Sequence, residues 1–315
     1  MANTIENRSE ILFLYEIENA NPNGDPLNEN RPRFDTEDAR ALVSDVRLKR
    51  TIRDYWFERK GYDGTDGKDI FVRETKYEDK GKEFVSDGKR RAEAFRKDKK
   101  IPRAEFVQNI LDTCIDIRTF GGVIPLDKSS ITRTGPVQFQ MGKSLHATSI
   151  ETIQGTGAFA SSSGKQQSTF RTEYILPYAL IGFNGIVNEQ AAKYTGMSAD
   201  DRDLVLEGIW EGTKNLISRS KFGQSPMLLL HITYKDGYYL GNLRQRVQLL
   251  TEKRETEIRG TEDYRLDLTR LFDALRETSE RVESIELRVD NRLELLYNGA
   301  ALTTDNGKIN LNDLR

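Results

Sequence analysis

Side chains that could carry out catalysis are few and scattered along this sequence. Its 315 residues include two histidines, His146 and His231, and one cysteine, Cys114. A multi-histidine metal centre, a cysteine-rich zinc site and a paired-histidine mechanism therefore lack their reacting groups. The residue counts do not exclude a Ser–His–Asp triad. His231, however, lies within an apolar strand, which favours a packing role in the core or on the face of a sheet over a catalytic one. The sequence predicts no catalytic residue, no metal and no cofactor, and it contains no Walker A, dinucleotide or zinc motif.

Two arginines in a stiff loop have the right spacing for phosphate binding. Residues 21–35 are rich in Asn, Pro and Gly, and within them Arg31 and Arg33 are separated by a single proline. Two guanidinium groups presented together are suited to bidentate contacts with phosphate. The loop is therefore a candidate site for a polyanion.

The helix predicted after this loop carries three cations on one side. At 100° per residue Lys49, Arg50 and Arg53 fall within one arc, away from the apolar side. Three cations on one face repel one another unless an anion lies between them. The alternative is a solvated surface whose charge is relieved by Asp45 and Asp54.

A third candidate segment ends the next predicted helix. Arg118 is followed by an aromatic residue and by Gly121 and Gly122, which would allow close approach of another backbone, of protein or of nucleic acid. A helix C-cap would alone explain Gly121. The neutral, hydroxyl- and amide-rich residues 132–169 offer donors to phosphate and ribose without sequence discrimination.

Charge is distributed unevenly along the chain, although 48 Lys+Arg against 50 Asp+Glu give a net charge of only −2. Residues 31–60 hold nine basic and six acidic side chains (+3), residues 73–103 twelve and seven (+5), and residues 118–171 six and two (+4). From residue 252 to the end there are eleven basic and fifteen acidic side chains (−4). A polyanion would bind the basic first half, unless these charges simply face water.

Composition excludes disorder throughout and a membrane-spanning protein. The chain is 37% hydrophobic and 31% charged, and its length predicts two domains, or one domain with large insertions. The longest uncharged stretch, residues 174–188, is too short and too interrupted to cross a bilayer, and no secretory signal is seen. We expect a soluble, cytoplasmic protein in a reducing environment.

Hydrophobic periodicity predicts strands and helices in the order of a ferredoxin-like or RNA-recognition-motif core, which other α+β proteins share. Residues 61–101 are interpreted as an insertion and residues 147–169 as a flexible exposed loop. A capping box of Ser198 and Asp201 opens one helix. The predicted strands are 10–18, 137–141, 173–187, 226–234 and 285–296, and the predicted helices are 44–60, 102–121, 198–220 and 267–281.

Six segments together carry a family resemblance. The chain resembles the backbone subunit of the CRISPR Cascade effector, within the repeat-associated RAMP superfamily, and most of all its subtype I-B form. Residues 61–101 and those after about 250 match this family least. The segments are Asn21-Pro-Asn-Gly-Asp-Pro, Asn30-Arg-Pro-Arg-Phe-Asp, Val43-Ser-Asp-Val-Arg-Leu-Lys-Arg-Thr-Ile-Arg-Asp-Tyr, Asp116-Ile-Arg-Thr-Phe-Gly-Gly, Thr134-Gly-Pro-Val-Gln and Ser218-Arg-Ser-Lys-Phe-Gly-Gln.

The resemblance implies an α+β fold shaped like a right hand. Its parts are a modified ferredoxin-like or RNA-recognition-motif palm, a helical finger insertion and a β-hairpin thumb. Carried onto this sequence, the palm comprises residues 1–57, 105–146 and 173–315, the fingers 58–104 and the thumb 147–172. The RNA-binding residues would be Asn23, Arg31, Arg33, Lys49, Arg50, Arg53, Arg118, Gly121, Gly122, Arg133, Gln138 and Arg171.

The same resemblance implies a non-catalytic role in antiviral defence. Many copies would polymerise along one CRISPR RNA, hold its backbone and present it for base pairing with a target DNA strand, each thumb displacing a base of a neighbour's segment. The implied partners are CRISPR RNA, target DNA through the guide, further copies of the chain, the repeat-handle-binding, large and small Cascade subunits and, indirectly, a helicase-nuclease. No membrane is involved.

Two alternatives remain open. Related backbone subunits of type III complexes cleave target RNA with a loop aspartate, and Asp25, Asp35 and Asp127 are the loop carboxylates that could do so here with a divalent metal. The other alternative is a standalone RNA-binding module. Metal-dependent RNA cleavage would identify the first alternative, and failure to polymerise on RNA the second.

Overall fold

A long antiparallel sheet organises the chain. The computed structural model describes residues 4–96, 98, 100–127, 129–156, 170–303 and 307–309. Within these residues the sheet has ten strands in the spatial order β10-β9-β8-β1-β7-β5-β3-β2, and β4 and β6 also pair with β7. The strands are β1 (Ser9–Ala20), β2 (Phe34–Asp35), β3 (Arg40–Val43), β4 (Val137–Phe139), β5 (Gly142–Ser144), β6 (Glu151–Thr156), β7 (Phe170–Val187), β8 (Gln224–Tyr234), β9 (Val282–Val289) and β10 (Gly307–Lys308).

Both faces of the central strands are buried, which explains their continuous apolar sequence. Ile11 and Phe13 of β1 face one core with the helices Asp45–Arg59 (α1) and Ala199–Lys214 (α6), whereas Leu12 and Leu14 face a second core with the helix Thr269–Glu277 (α7). The seven α-helices of the described residues are α1 (Asp45–Arg59), α2 (Gly88–Glu93), α3 (Arg103–Thr113), α4 (Ile115–Phe120), α5 (Glu189–Thr195), α6 (Ala199–Lys214) and α7 (Thr269–Glu277). In the part of the chain that is described, no helix is both long and apolar enough to cross a bilayer.

The segment predicted as an insertion has a small core of its own. Phe71 and Ala92 pack there with the apolar side of α3, including Phe106 and Ile110, and with Cys114. Within the described residues, three two-stranded hairpins lie outside the main sheet, and a four-stranded sheet is formed near the end of the chain. The hairpins are Gly24–Asp25 with Arg31–Pro32, Lys76–Asp79 with Lys82–Val85 and Gly121–Pro125 with Ser130–Thr134, and the small sheet contains Gln248–Leu250, Arg265–Asp267, Leu295–Tyr297 and Ala300–Ala301.

The predicted positions of the main strands and helices are confirmed, with three corrections. The helix predicted over residues 198–220 ends at Lys214. The helix predicted over residues 102–121 is interrupted at Cys114, because Asp69 pairs with the backbone there: its N–H donates to Thr113 and its carbonyl accepts from Ile115. The strand predicted over 285–296 ends at Val289, and Leu295–Tyr297 belongs to the small sheet.

Part of the segment predicted as an exposed loop is ordered as a strand. Residues Glu151–Thr156 form β6, which pairs with the first residues of β7 in the register Glu151↔Ile175. Thr148 is buried and its hydroxyl donates to the carbonyl of Tyr178 at 2.7 Å. Residues 157–169 lie outside the described residues, so the thumb boundaries 147–172 stay a prediction.

Candidate nucleic-acid interface

The loop 21–35 is fastened to the start of α1 by Asn23. The side-chain oxygen of Asn23 accepts the Ser44 N–H at 2.8 Å, and its carbonyl accepts the Arg33 N–H at 3.0 Å. The amide of Asn21 donates to the carbonyl of Asn30 at 2.7 Å, closing the loop on itself. These bonds fix the backbone from which the two loop arginines project.

Arg31 and Arg33 differ in how firmly they are held. The guanidinium of Arg31 lies 4.3 Å from the ring centre of Tyr174 and donates to the Glu29 carboxylate at 2.9 Å, and this bond raises the pKa of Arg31. Arg33 has a looser ion pair with Asp25, at 3.5 Å. Both side chains are about two-fifths exposed, at 43% and 40%. Arg33 therefore keeps more of its hydrogen-bonding capacity for a ligand.

The three cations of α1 are not equally accessible. Arg50 pairs with Asp54 at 2.6 Å but stays 64% exposed, whereas the Lys49 side chain is only 10% exposed. Lys49 donates to Asp45 at 3.0 Å and to the side-chain oxygen of Gln138 at 3.2 Å. Asp45 and Asp54 are thus the partners expected from the solvated-surface alternative, and only Arg50 extends freely into solvent.

Arg53 is part of the core boundary. Its guanidinium lies 2.9 Å from the Asp116 carboxylate and 5.2 Å from the ring centre of Phe120, and the side chain is 12% exposed. Asp116 is fully buried and also accepts the Phe71 N–H at 2.7 Å. Arg53 is therefore committed to an internal ion pair in this structure.

The end of α4 brings two backbone segments into direct contact. Gly121 ends the helix with φ +72°, and a Cβ there would lie 2.2 Å from the carbonyl oxygen of Arg133. Gly122 pairs with Arg133, whose own side chain is exposed. Gln138 donates to the carbonyl of Gly135 at 2.8 Å, so this junction also contacts Lys49 of α1 through Gln138. Gly121 serves the protein's own backbone packing, as the C-cap alternative expected for this residue.

Two of the predicted residues lie apart from this network. Arg118 makes a two-bond ion pair with Asp201 of α6, both at 2.8 Å, and donates to the carbonyl of Leu111. Its side chain is 16% exposed. Arg171, at the start of β7, is half exposed and pairs with Glu173. The structure brings the other predicted residues together. They extend in space from the loop 21–35 along α1 to the contact between the end of α4 and residues 133–135, which we call the Gly121 junction.

The loop carboxylates considered for metal-dependent cleavage are placed separately. Asp35 accepts hydrogen bonds from Lys143 at 2.9 Å and from the Glu37 N–H at 3.2 Å, and the Lys143 bond lowers the pKa of Asp35. Asp25 pairs with Arg33, and Asp127 is exposed. Among the described residues, no three or more His, Cys, Asp or Glu side chains are grouped so that they could hold a metal ion.

The histidines and the cysteine are packing residues in this structure. His146 is fully buried, accepts the Leu180 N–H at 3.2 Å, and has its pKa lowered by burial. His231 is 3% exposed on β8, and neither of its ring nitrogens has a hydrogen-bond partner among the described residues. Cys114 is buried within the apolar cluster of the insertion. Burial raises the pKa of its thiol, so the reactive thiolate form is disfavoured.

Sequence reasoning left two cations of this region unassigned. Arg47, in the first turn of α1, and Lys221, in the loop before β8, have no carboxylate within ion-pair distance in the described part of the chain. The ammonium group of Lys221 donates to the carbonyl of Asn21, next to the loop 21–35. Lys221 lies inside the family-like segment 218–224, and that was the available signal.

Comparison with known proteins decides the family. A family model described as "CRISPR-associated protein Cas7" matches residues 7–269. The chain belongs to the Cas7 family. A CRISPR-associated protein Cas7 from Haloferax volcanii is 30% identical over 317 residues, covering 93% of this chain and 89% of that protein. This family is the one that the sequence motifs indicated.

Solved structures support the Cas7 fold. A chain of a "CRISPR RNA-guided surveillance complex, pre-nicking" superposes with a TM-score of 0.54 at 15% identity, covering 92% of this chain and 96% of that one. A second, from a "CRISPR RNA-guided surveillance complex", gives a TM-score of 0.51 at 15% identity, covering 92% and 94%. These similarities concern the mixed α/β fold with its central antiparallel sheet.

Proposed function

We propose that this chain is the non-catalytic backbone subunit of a type I, I-B-like Cascade effector. It polymerises along CRISPR RNA, binds the RNA backbone and presents the bases to target DNA. Its partners are further copies of itself, the other Cascade subunits and, through the complex, a helicase-nuclease. Membership of the Cas7 family and the motifs of the first half support this assignment.

Strand order supports the palm of this proposal. The segment β8-β1-β7-β4, antiparallel throughout, has α1 and α6 on one face, and this corresponds to a ferredoxin-like arrangement of strands. We assign residues 58–104 to the fingers, which contain the separate cluster around Phe71, and residues 147–172 to the thumb, which includes the paired strands β6 and β7.

One observation carries the RNA-binding assignment. A continuous set of contacts joins the loop 21–35, the first turns of α1 and the Gly121 junction, and exposed arginines project from each of these parts. They are Arg33 from the loop, Arg50 from α1 and Arg133 from the hairpin after α4. Arginines at these three places can contact successive phosphates without reading base identity. Arg53 and Arg118 act in this proposal as supports of the interface rather than as phosphate ligands.

The proposal is tested by RNA binding of a double variant and a matched control. Replacing Arg33 and Arg50 with Ala removes two phosphate contacts, so the slope of log affinity against log salt should flatten by about 1.4, equally for unrelated RNA sequences. Arg265→Ala is the control, because Arg265 is 61% exposed and paired with Glu294, much as Arg50 is with Asp54. Filter binding over a salt series measures both.

The outcomes separate the proposal from its rivals. Loss confined to one RNA sequence, or equal loss in Arg265→Ala, would refute backbone binding at this interface. Native mass analysis of the chain co-expressed with a CRISPR array should give a discrete assembly containing one processed RNA. Binding of RNA without assembly would instead indicate a standalone module.

A further inference from the structure

The turn before β8 exposes an arginine and an aromatic ring together. Residues 218–222 form a single helical turn, in which the Phe222 N–H donates to the Ser218 carbonyl at 2.7 Å. The Arg219 side chain is 65% exposed, and Phe222 is 69% exposed. Residues three positions apart in a helical turn are neighbours, so both side chains project from one side of it. An arginine beside an open aromatic ring is the combination that proteins use to bind single-stranded nucleic acid.

The backbone of this turn is held firmly, although its side chains are exposed. The Asn21 N–H donates to the Ser220 carbonyl and the Glu18 N–H to the Gly223 carbonyl, both at 2.9 Å. Gly223 has φ +102°, and a Cβ there would lie 2.4 Å from the Glu18 carbonyl oxygen, so only glycine fits. The ammonium group of Lys221 donates to the Asn21 carbonyl. An exposed ring on a fixed backbone loses little conformational freedom when it binds a ligand.

The same turn adjoins two parts of the candidate interface. Its backbone bond to Asn21 joins it to the start of the loop 21–35. Leu216 and Gln224, which flank the turn, line a small cavity together with Arg47 in the first turn of α1. A strand of RNA that follows the loop and α1 therefore passes beside the turn.

Arg219 brings positive charge that the protein neutralises only in part. It pairs with Glu173 at 3.0 Å, and Arg171 pairs with the same carboxylate oxygen. Two guanidinium groups on one carboxylate leave one positive charge in excess, and both arginine side chains reach solvent. A phosphate can join this group, because guanidinium donors bind phosphate and carboxylate oxygens in the same geometry.

We propose that the turn 218–222 binds one nucleotide of single-stranded RNA, with the phosphate on Arg219 and the base stacked on Phe222. This rests on the proposed function, and it adds a base contact to an interface otherwise made of arginines. Every base has an aromatic face, so stacking does not read base identity and suits a protein that holds any guide sequence. The cations around the ring favour a nucleotide over the apolar surface of a second copy.

Variants of the full chain separate the stacking contact from the phosphate contact, with single-stranded RNA of unrelated sequences as the probe. Phe222→Ala should weaken binding about tenfold with an unchanged salt slope, because no charge is removed. Phe222→Trp should bind at least as well as the original chain, since indole also stacks on bases. Arg219→Gln should flatten the slope of log affinity against log salt by about 0.7. Tyr194→Ala should change neither property, because Tyr194 is an exposed aromatic residue of α5, beyond the other end of β7.

A matched oligomer without bases identifies the group that stacks on the ring. The original chain and Phe222→Ala should bind an abasic ribose-phosphate oligomer equally, since it has no base to stack. A tenfold difference that persists on the abasic oligomer would overturn the base contact.

The results distinguish this inference from the proposed function. If the original chain binds no RNA, the proposed function itself fails. If the original chain binds RNA, and Phe222→Ala and Arg219→Gln bind it equally well with the same salt slope, the nucleotide site is wrong and the backbone-binding function stands.

Two further outcomes would also overturn the nucleotide site. Phe222→Ala that binds short RNA normally but no longer assembles on long RNA would show that the ring contacts a second copy. Loss of affinity in Phe222→Trp with an unchanged thermal transition would show that stacking is not what Phe222 contributes.

Discussion

Asp116 is the carboxylate on which the inner part of the candidate interface depends. It is fully buried, lies 2.9 Å from Arg53, and accepts the N–H groups of Phe71 at 2.7 Å and Val72 at 3.0 Å. One side chain thus neutralises a cation of α1 and anchors residues 71–72 within the predicted insertion. Arg53 owes its fixed position to a residue of another helix.

Removing this carboxylate should destabilise the fold strongly. Asp116→Ala leaves the Arg53 guanidinium buried and unpaired and orphans two backbone donors, so we expect a loss of about 3–5 kcal/mol in the free energy of unfolding. Asp54→Ala breaks the exposed pair with Arg50 and should cost less than about 1 kcal/mol. Urea unfolding of both variants measures the difference, and equal costs would contradict a structural role for Asp116.

Residue types along the sequence predict where cations cluster but not which of them are free. The i,i+4 partners Asp45 and Asp54 could be identified from helical spacing alone. Asp116 and Asp201 could not, because each comes from a distant segment, 63 and 83 positions from its arginine. The same reason hid Lys221, whose hydrogen bond to the carbonyl of Asn21 depends on the tertiary fold.

At the scale of elements, the junction between α4 and the following hairpin is the most constrained part of the interface. Gly121 and Gly135 face each other, and a Cβ on Gly135 would lie 2.1 Å from the carbonyl carbon of Phe120. The positive φ of Gly121 ends the helix at the same point. Gly121 is therefore required for two reasons: its positive φ and the lack of space for a side chain.

Substitutions at Gly61 and Gly121 can measure the conformational and the steric requirement separately. Gly61, after α1, has φ +71°, and a Cβ there would meet no atom of the described residues within 4 Å, whereas Gly121 has nearly the same φ and no space for a Cβ. Gly61→Ala should cost about 1 kcal/mol through backbone strain alone. Gly121→Ala adds a steric clash and should cost about 2–4 kcal/mol. Thermal unfolding compares them, and similar losses would show that the backbones can separate without cost.

Elements defined by local signals were predictable, whereas elements shaped by tertiary contacts were not. The capping box of Ser198 and Asp201 forms as predicted, with both reciprocal hydrogen bonds. The interruption at Cys114 has no local signal, because its cause is the pairing of the backbone with Asp69. Composition alone predicted a loop at strand β6 because of its Thr and Gly content, whereas the family resemblance implied a β-hairpin over residues 147–172. Pairing with β7 makes this segment a strand.

Over the whole molecule, the two faces of the sheet adjoin different parts of the chain. The face covered by α1 and α6 connects through α1 to the loop 21–35 and the exposed arginines, within the basic first half of the chain. The other face is covered by α7 and the small sheet, within the acidic end of the chain. A polyanion therefore meets opposite charge near the loop 21–35 and α1, and repulsion near the acidic end of the chain.

The arrangement of charge over the molecule also predicts that a bound target is held and not cut. Metal-dependent cleavage of a phosphodiester needs carboxylates gathered near the scissile phosphate. Asp35 instead forms an ion pair with Lys143, and Asp25 forms one with Arg33. The assembled complex, given a complementary labelled RNA and Mg²⁺ or Mn²⁺, should leave that RNA intact. Regularly spaced cuts that disappear in Asp35→Ala but persist in Asp236→Ala, an exposed turn carboxylate, would overturn this prediction and make the chain an endoribonuclease.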